Sequence, residues 1–300
     1  MTKNHPEALL EPAAVTLQSL SHAAGHYENF PVASVLLPRH LREPIALIYS
    51  FARQADDFAD EGDTTIEERL SALNEFRDEL DLLQAYIKPQ TAFFAALGLM
   101  VRSKNLPFKP FYDLLDAFSQ DVTKIRYQDF KEVLDYCSRS ANPIGRLLLH
   151  LYQAATPNNI KLSDNICSAL QIINFLQDIA IDFKKNDGKQ RIYMCQDELL
   201  KFGITEQQIA AYVDASIPVD KQWQQFMQFN LQRVHELLVT GKPLGRILKG
   251  RIGFEMRMII AGGERIITKI NKVNGDIFNH RPTLNNWDWL LILTKALLKI

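Results

Sequence analysis

Cysteine is scarce in this chain. Cys137, Cys167 and Cys195 are the only three in 300 residues, none stands in a CxxC pair, and no His-rich segment accompanies them. That pattern supplies neither a disulfide framework nor a structural zinc site, and it predicts reduced thiols in a cytoplasmic protein. Charge of one sign is lacking too: 34 Lys+Arg stand against 35 Asp+Glu, a net −1. With no overall pull towards polyanions, a nucleic-acid partner is not expected. No run reaches the roughly 18 uncharged apolar residues that span a bilayer. The nearest, Trp287 to Ile300, is shorter and carries Asp288, Lys295 and Lys299. The opening MTKNHPEALLEPAAV has acids and prolines but no apolar centre, which is not the pattern of a secretory signal. Short alternating apolar runs bounded by turn residues are also hard to find, which argues against β structure.

Apolar residues at spacings of three and four fill nearly every segment between proline and glycine, which predicts an all-α chain. Helices are expected near 11–24, 42–62, 65–86, 91–103, 108–121, 127–154, 162–185, 205–213, 219–241, 244–273 and 285–300. Thr64-Thr65 followed by Glu67 and Glu68 reads as a helix start, and Pro107, Pro110 and Pro157 fall where connections are expected. No repeat or low-complexity linker divides the chain. A single domain over 1–300 is therefore expected, with about 1–25 an N-terminal extension or helix and about 282–300 a C-terminal amphipathic helix.

Two acidic stripes stand out. Arg53, Asp56, Asp60 and Asp63 follow at spacings of three, four and three, with Asp57 beside them, so one helix face carries them all. Acids in the last turns of a helix oppose its macrodipole, so helix stability does not account for them; a solvated acidic helix end is the plain alternative. The second stripe is harder to explain that way. Gln171, Asn174, Asp178 and Asp182 form the one polar line on a segment otherwise covered by Ile172, Ile173, Phe175, Leu176, Ile179, Ile181 and Phe183. A helix apolar almost all round belongs inside, and carboxylates there must be paired, protonated or bound to cations. Facing helices of this kind suit Mg2+, which takes oxygen ligands and is commonly shared with phosphate oxygens. Asp56, Asp57, Asp60, Asp178 and Asp182 are the candidate metal ligands. Ion pairs with Arg53, Arg126, Arg139 or Arg146 would satisfy the same acids without metal, and the two arrangements can coexist.

The order of these motifs resembles the squalene/phytoene synthase family. Tyr49-Ser-Phe-Ala-Arg53-Gln-Ala-Asp56-Asp57-Phe-Ala-Asp60 resembles its YxFxRxxDDxxD helix, and Gln177-Asp178-Ile-Ala-Ile-Asp182 its DxxxD helix. Tyr136-Cys-Ser-Arg-Ser-Ala-Asn-Pro143-Ile-Gly145 stands where the family has YC-x-x-V-A-G-x-V-G, and Arg191-Ile-Tyr193-Met replaces R-x-Y-L-P. The similarity runs from about Phe30 to Glu264. It implies a single-domain isoprenoid synthase helical bundle with a central cavity, a prenyl diphosphate substrate and Mg2+ as cofactor. Phe51, Phe118, Phe175 and Phe254 are candidates to line such a cavity or simply to pack the core. HYENFPVAS at 26–34, the acidic run from Asp56, Tyr136 to Arg146 and FLQDIAID at 175–182 are similar to the hydroxysqualene synthase subgroup, which converts presqualene diphosphate and water to hydroxysqualene in hopanoid formation.

Carried over residue by residue, the resemblance implies catalytic roles for Asp56, Asp60, Asp178 and Asp182, and Tyr136 and Asn174 are further catalytic candidates by their polar character. It implies substrate contacts from Arg53, Asn29, Phe30, Tyr49, Gln177, Arg191, Tyr193 and Lys185. Two departures matter: serines usual before the phenylalanine are absent ahead of Phe30, and Gln177 replaces an arginine frequent in the family. Tyr136, Asn142 and Asn174 are equal candidates to orient the captured water. Head-to-head condensation of two prenyl diphosphates shares all these motifs, and a non-catalytic subunit that kept the fold is a rival of another class. Trp287, Trp289, Leu290, Leu291, Leu293, Leu297 and Leu298 crowd the last helix, which either packs on the core or lies in a membrane interface. Peripheral contact with the inner face of the membrane, and association with another pathway enzyme, are the partner classes this leaves open.

Overall fold

The computed structural model describes residues 38–60, 62, 64–184, 190–215 and 217–298. The helix expected at 11–24 and the candidates Asn29, Phe30 and Lys185 lie outside them. Thirteen helices run in chain order among the described residues: α1 (Arg39–Asp60), α2 (Ile66–Gln84), α3 (Ala92–Ser103), α4 (Lys109–Thr123), α5 (Phe130–Ser140), α6 (Asn142–Leu151) and α7 (Pro157–Lys184), then α8 (Gln196–Lys201), α9 (Glu206–Ala215), α10 (Lys221–Gly241), α11 (Leu244–Ile247), α12 (Gly250–Lys272) and α13 (Asn286–Leu298). The expected start of α2 is borne out: Thr65 Oγ1 accepts from the Glu68 amide at 3.2 Å and the Glu68 carboxylate accepts from the Thr65 amide at 2.8 Å, a reciprocal capping box.

Two expectations about helix continuity are corrected. The single helix read at 127–154 is two, because Pro143 removes an amide donor and its ring crowds the carbonyl four residues back, so the chain breaks at Ala141 between α5 and α6. The helix read at 244–273 also divides: Leu248 turns extended and Gly250, the first residue of α12, sits at φ +66°, a left-handed conformation that suits glycine. The chain is also not wholly without strands. β1 (Arg126–Tyr127) pairs in parallel with β2 (Ile192–Cys195), its register shifted between Arg126 and Tyr127. Periodicity was silent about such a short pair, which exists to bring distant segments together.

Two buried clusters make the core. One gathers α1 to α4 around Phe51, Phe94 and Phe111; the other surrounds α7 with Leu176, Ile179, Trp223, Phe226 and Ile266. α7 packs against α10, α6, α12, α5 and β2. It is long and apolar enough to cross a membrane by composition, yet 56% of its apolar window is buried inside the fold, as its all-round apolar surface predicts for a core helix. Ile172, Ile173, Phe175, Leu176, Ile179 and Phe183 are buried, whereas Ile181 is exposed. Of the aromatics considered as cavity lining, Phe51 is fully enclosed by Phe76, Phe94 and Phe111 and belongs to the core.

Gly145 explains how α6 lies so close on α7. A Cβ there would run into Ser163 Oγ and stand 2.6 Å from Cys167 Sγ, both on α7. Gly145→Ala is expected to destabilise the protein by about 1–3 kcal/mol through overpacking, measured by denaturant unfolding; an unchanged midpoint would mean the two helices can separate without cost.

Candidate active site

The acidic face of α1 is organised by arginine. Arg53 reaches Asp56 Oδ2 at 3.3 Å through Nη1 and Asp57 Oδ1 at 2.7 Å through Nη2. One turn on, Asp60 Oδ1 lies 3.3 Å from Nη1 of Arg191, which arrives 131 residues later in sequence. On α7, Asp178 Oδ1 meets Nε of Arg281 at 2.6 Å. Of the arginines expected to neutralise these acids, only Arg53 does so among the contacts described. Arg126 pairs with Glu206, Arg139 with Asp135 and Arg146 with Asp164. Arg191 and Arg281 take the places expected of them.

Between the two helices lies a buried polar knot. Asp121, on α4, accepts from the Tyr136 hydroxyl at 2.5 Å and from the Tyr193 hydroxyl at 3.3 Å. Arg191, 4% exposed, donates to the Tyr193 hydroxyl at 3.0 Å and to the Asp121 backbone carbonyl at 2.5 Å. β2 holds Arg191 and Tyr193 here by pairing with β1, and Arg126 reinforces the pair by donating to the Gln190 carbonyl while gripping Glu206 with two bonds. Tyr193 stacks on Phe175 of α7 with ring centres 3.8 Å apart and an angle of 7° between planes; Tyr127 and Tyr136 close the aromatic group.

Electrostatics tie both acidic stripes to this knot. Asp121 stands at about 7: burial raises it, Arg191 and the Tyr136 hydroxyl hold it down, and the charges of Asp60 and Asp56 raise it in turn. Tyr193 is pushed well above its ordinary value by burial and then by Asp121, and Asp182 adds to the push. The fields of Asp56 and Asp60 from α1 and of Asp182 from α7 thus converge on neighbouring groups. Because Asp121 binds its proton more tightly when folded than unfolded, its contribution to stability is complete below about pH 4. It is lost as pH rises through about 7. Asp121→Asn, which does not titrate, should gain on the parent protein by roughly 2–4 kcal/mol between those limits; a pH-independent difference in unfolding free energy would show that Asp121 stays ionised in the fold.

The remaining candidates separate. Tyr49 and Asn174 are half-buried, Asn174 one turn before Asp178. Gln177 is buried and its amide donates to the Pro282 carbonyl, so it anchors the segment whose preceding residue, Arg281, supplies the positive charge that position 177 lacks. Asn142 accepts from Ser168 at 3.0 Å and lines a cavity of about 340 Å³ with Lys161 and Asp164. Ser168 is ten residues from Asp178, about 15 Å along α7, which removes Asn142 from the site. Asp121 and Arg281 were not foreseen: neither falls on an acidic stripe or in a quoted motif.

The donor set fits Mg2+. Asp56, Asp57, Asp60 and Asp178 offer carboxylate oxygens with side chains 39%, 37%, 16% and 25% exposed, hard ligands open to solvent, as a cation that keeps waters requires. A different group, Cys195, Asp197 and Glu198, has ligand atoms within 4.8 Å of one another. It does not suit a metal, since Glu198 is held by both terminal nitrogens of Arg233 and burial pushes the Cys195 thiol up to about 12.

A family model, squalene/phytoene synthase, matches residues 23–288. The chain belongs to the squalene/phytoene synthase family. It is an isoprenoid synthase, and the all-α fold expected from its periodicity is the fold of that family. The hydroxysqualene synthase of Rhodopseudomonas palustris is 35% identical over 252 residues, 80% of this chain and 78% of that one. The presqualene diphosphate synthase of the same organism is 33% identical over 178 residues, 59% of this chain and 61% of that one. A solved squalene synthase from Alicyclobacillus acidocaldarius superposes with a TM-score of 0.76 at 31% identity, covering 87% of this chain and 93% of that one. In this synthase, both motif helices and the R-x-Y strand meet at the Asp121 knot.

Proposed function

We propose that this synthase acts as a hydroxysqualene synthase, converting presqualene diphosphate and water to hydroxysqualene and diphosphate with Mg2+ as cofactor. The observation that carries the reading is the 35% identity to a hydroxysqualene synthase over four fifths of both chains, joined to acidic stripes that bracket a buried aromatic group. We take residues 1–300 as one catalytic domain. Asp56, Asp57, Asp60, Asp178 and Asp182 would hold Mg2+, which when bound supplies Lewis acidity to the diphosphate oxygens. Arg53, paired with Asp57, and Arg191, paired with Asp60, would offset negative charge beside those ligands, and Arg281 would keep Asp178 oriented. The carbon–oxygen bond breaks with its electron pair leaving on the diphosphate. The cyclopropylcarbinyl cation left behind rearranges in apolar surroundings bounded by the buried aromatic group of Phe175, Tyr136 and Tyr193, shielded from bulk water.

Water then adds to the rearranged cation, and its proton leaves with the released diphosphate. Asn174 is the residue we assign to position that water: Tyr136 already donates to Asp121 and Asn142 faces another cavity. The buried knot serves as a fixed floor, with the Tyr136 and Tyr193 hydroxyls held by the Asp121 carboxylate so that neither oxygen is free to swing towards the cation and capture it early.

The experiment is incubation of the protein with presqualene diphosphate and Mg2+, without a nicotinamide cofactor, followed by mass analysis of the lipid. Hydroxysqualene is expected, and none when EDTA is added. Untouched presqualene diphosphate together with consumption of farnesyl diphosphate would replace this reading with head-to-head condensation, the activity named for the presqualene diphosphate relative.

A further inference from the structure

α13 lies on α12 by a narrow stripe. Asp288, Ile292 and Ala296 are buried at spacings of four, and the Asp288 carboxylate is clamped by Arg265 and Lys269, so the helix cannot roll to hide another face. Trp287, Leu290, Leu291, Leu293, Leu297 and Leu298 are all exposed, Trp287 by 75% and Leu298 by 64%. At 3.6 residues per turn these six fill an outward arc about 160° wide, opposite the buried stripe and interrupted by Thr294 and, at the helix start, Asn286. A contiguous apolar face of that size marks an interaction site.

The chemistry beside it says with what. Arg257 donates to the Gly245 carbonyl and to the Ala296 carbonyl, both at 2.7 Å, and so fastens the α11–α12 connection to the end of α13. That connection exposes Arg246, Lys249 and Arg251, with Ile247 43% exposed among them. Lys295 stands at the edge of the apolar arc. Glu264 is engaged by Lys242 and Lys295, and Asp288 by Arg265 and Lys269. An apolar arc with tryptophan at one end and a basic loop at the other matches an interface with acyl chains beneath and anionic headgroups around it.

We propose that α13 and the 246–251 loop form a docking surface for an anionic phospholipid bilayer, on which the protein lies peripherally. This stands apart from the reaction assigned above, and it applies equally to a condensing enzyme. A second copy of the chain is the competing occupant, but the basic loop would then face itself across a two-fold axis or lie idle.

The test is sedimentation of the full chain with vesicles of phosphatidylcholine alone or mixed with phosphatidylglycerol. Binding is expected with the mixed vesicles, weakening as salt rises. Lys249→Ser with Arg251→Ser should lower partitioning roughly 30-fold. Leu290→Ser with Leu293→Ser and Leu297→Ser should abolish it; these side chains are exposed, so unchanged thermal unfolding is the control on fold. Absence of sedimentation with either vesicle, or binding indifferent to both sets of substitutions, would overturn the proposal. So would a dimer in solution that the leucine substitutions dissolve while vesicles bind nothing, which would hand the face to a second copy.

Discussion

Asp178→Asn is expected to cut single-turnover conversion of presqualene diphosphate on the order of a thousand-fold while leaving the protein folded. The two halves of that expectation have separate grounds. Asparagine keeps the shape of aspartate and still offers an oxygen to Nε of Arg281, and the pair is a quarter exposed on the acid's side. Ion pairs in such solvent contribute about 0–1 kcal/mol, so thermal unfolding should hardly move. Chemistry is a different matter, because the site must stabilise charge that appears only as the diphosphate leaves, and a neutral amide is a poor ligand for a hard dication. Near-normal turnover would remove Asp178 from the site and leave its pairing with Arg281 as its whole purpose.

The same substitution at Asp60 would not separate these effects so cleanly. Asp60 is less exposed and touches Arg191, so any loss of turnover there would mix lost ligation with a disturbed knot. Asp178 is the better probe because its arginine comes from a surface segment anchored independently by Gln177 through the Pro282 carbonyl.

What could be read from sequence, and what could not, follows from the range of the interactions. The stripes of α1 and α7 were legible because three- and four-residue spacing is a local property, and the burial of α7 because a helix apolar on nearly every side has nowhere else to go. The break at Ala141 needed only weight given to Pro143. Asp121 carried no such signal: it sits within α4 in the run Ala117-Phe118-Ser119-Gln120-Asp121 and looks like an ordinary polar side chain. Its meaning comes from Tyr136 and Tyr193, 15 and 72 residues away, and from a two-residue strand too short to leave a pattern. Arg281 is alike, a single cation in the loop before α13 whose partner lies 103 residues earlier. Gln177 marks the loss of a positive group on its own helix, but the charge stands on another element, which composition along one helix cannot report.

Arg191 holds the two ends of the site together, and Arg191→Met should cost about 3–5 kcal/mol of stability, because it leaves buried acids without their cation. For a protein of this size that is a fall in Tm of roughly 5–8 °C. Methionine fills the space of the aliphatic stem but donates nothing to the Asp121 carbonyl or the Tyr193 hydroxyl, and it does not neutralise Asp60. The loss should depend on pH in a defined sense. Asp121 already stands at about 7 with Arg191 present; without the guanidinium it holds its proton to higher pH still. A raised folded value stabilises at low pH and ceases to do so as pH rises through it. The deficit of Arg191→Met should therefore be largest above pH 7, where Asp121 ionises beside no cation, and shrink on acidification as the proton replaces the lost charge. Arg191→Lys should recover the charge but not the fork that reaches Asp60, Tyr193 and the Asp121 carbonyl together, restoring stability further than turnover. Thermal unfolding of the three proteins across that pH range decides it: a deficit that does not change with pH would make Arg191 a packing residue, and the coupling between Asp121 and the acidic helices would have to run through another group.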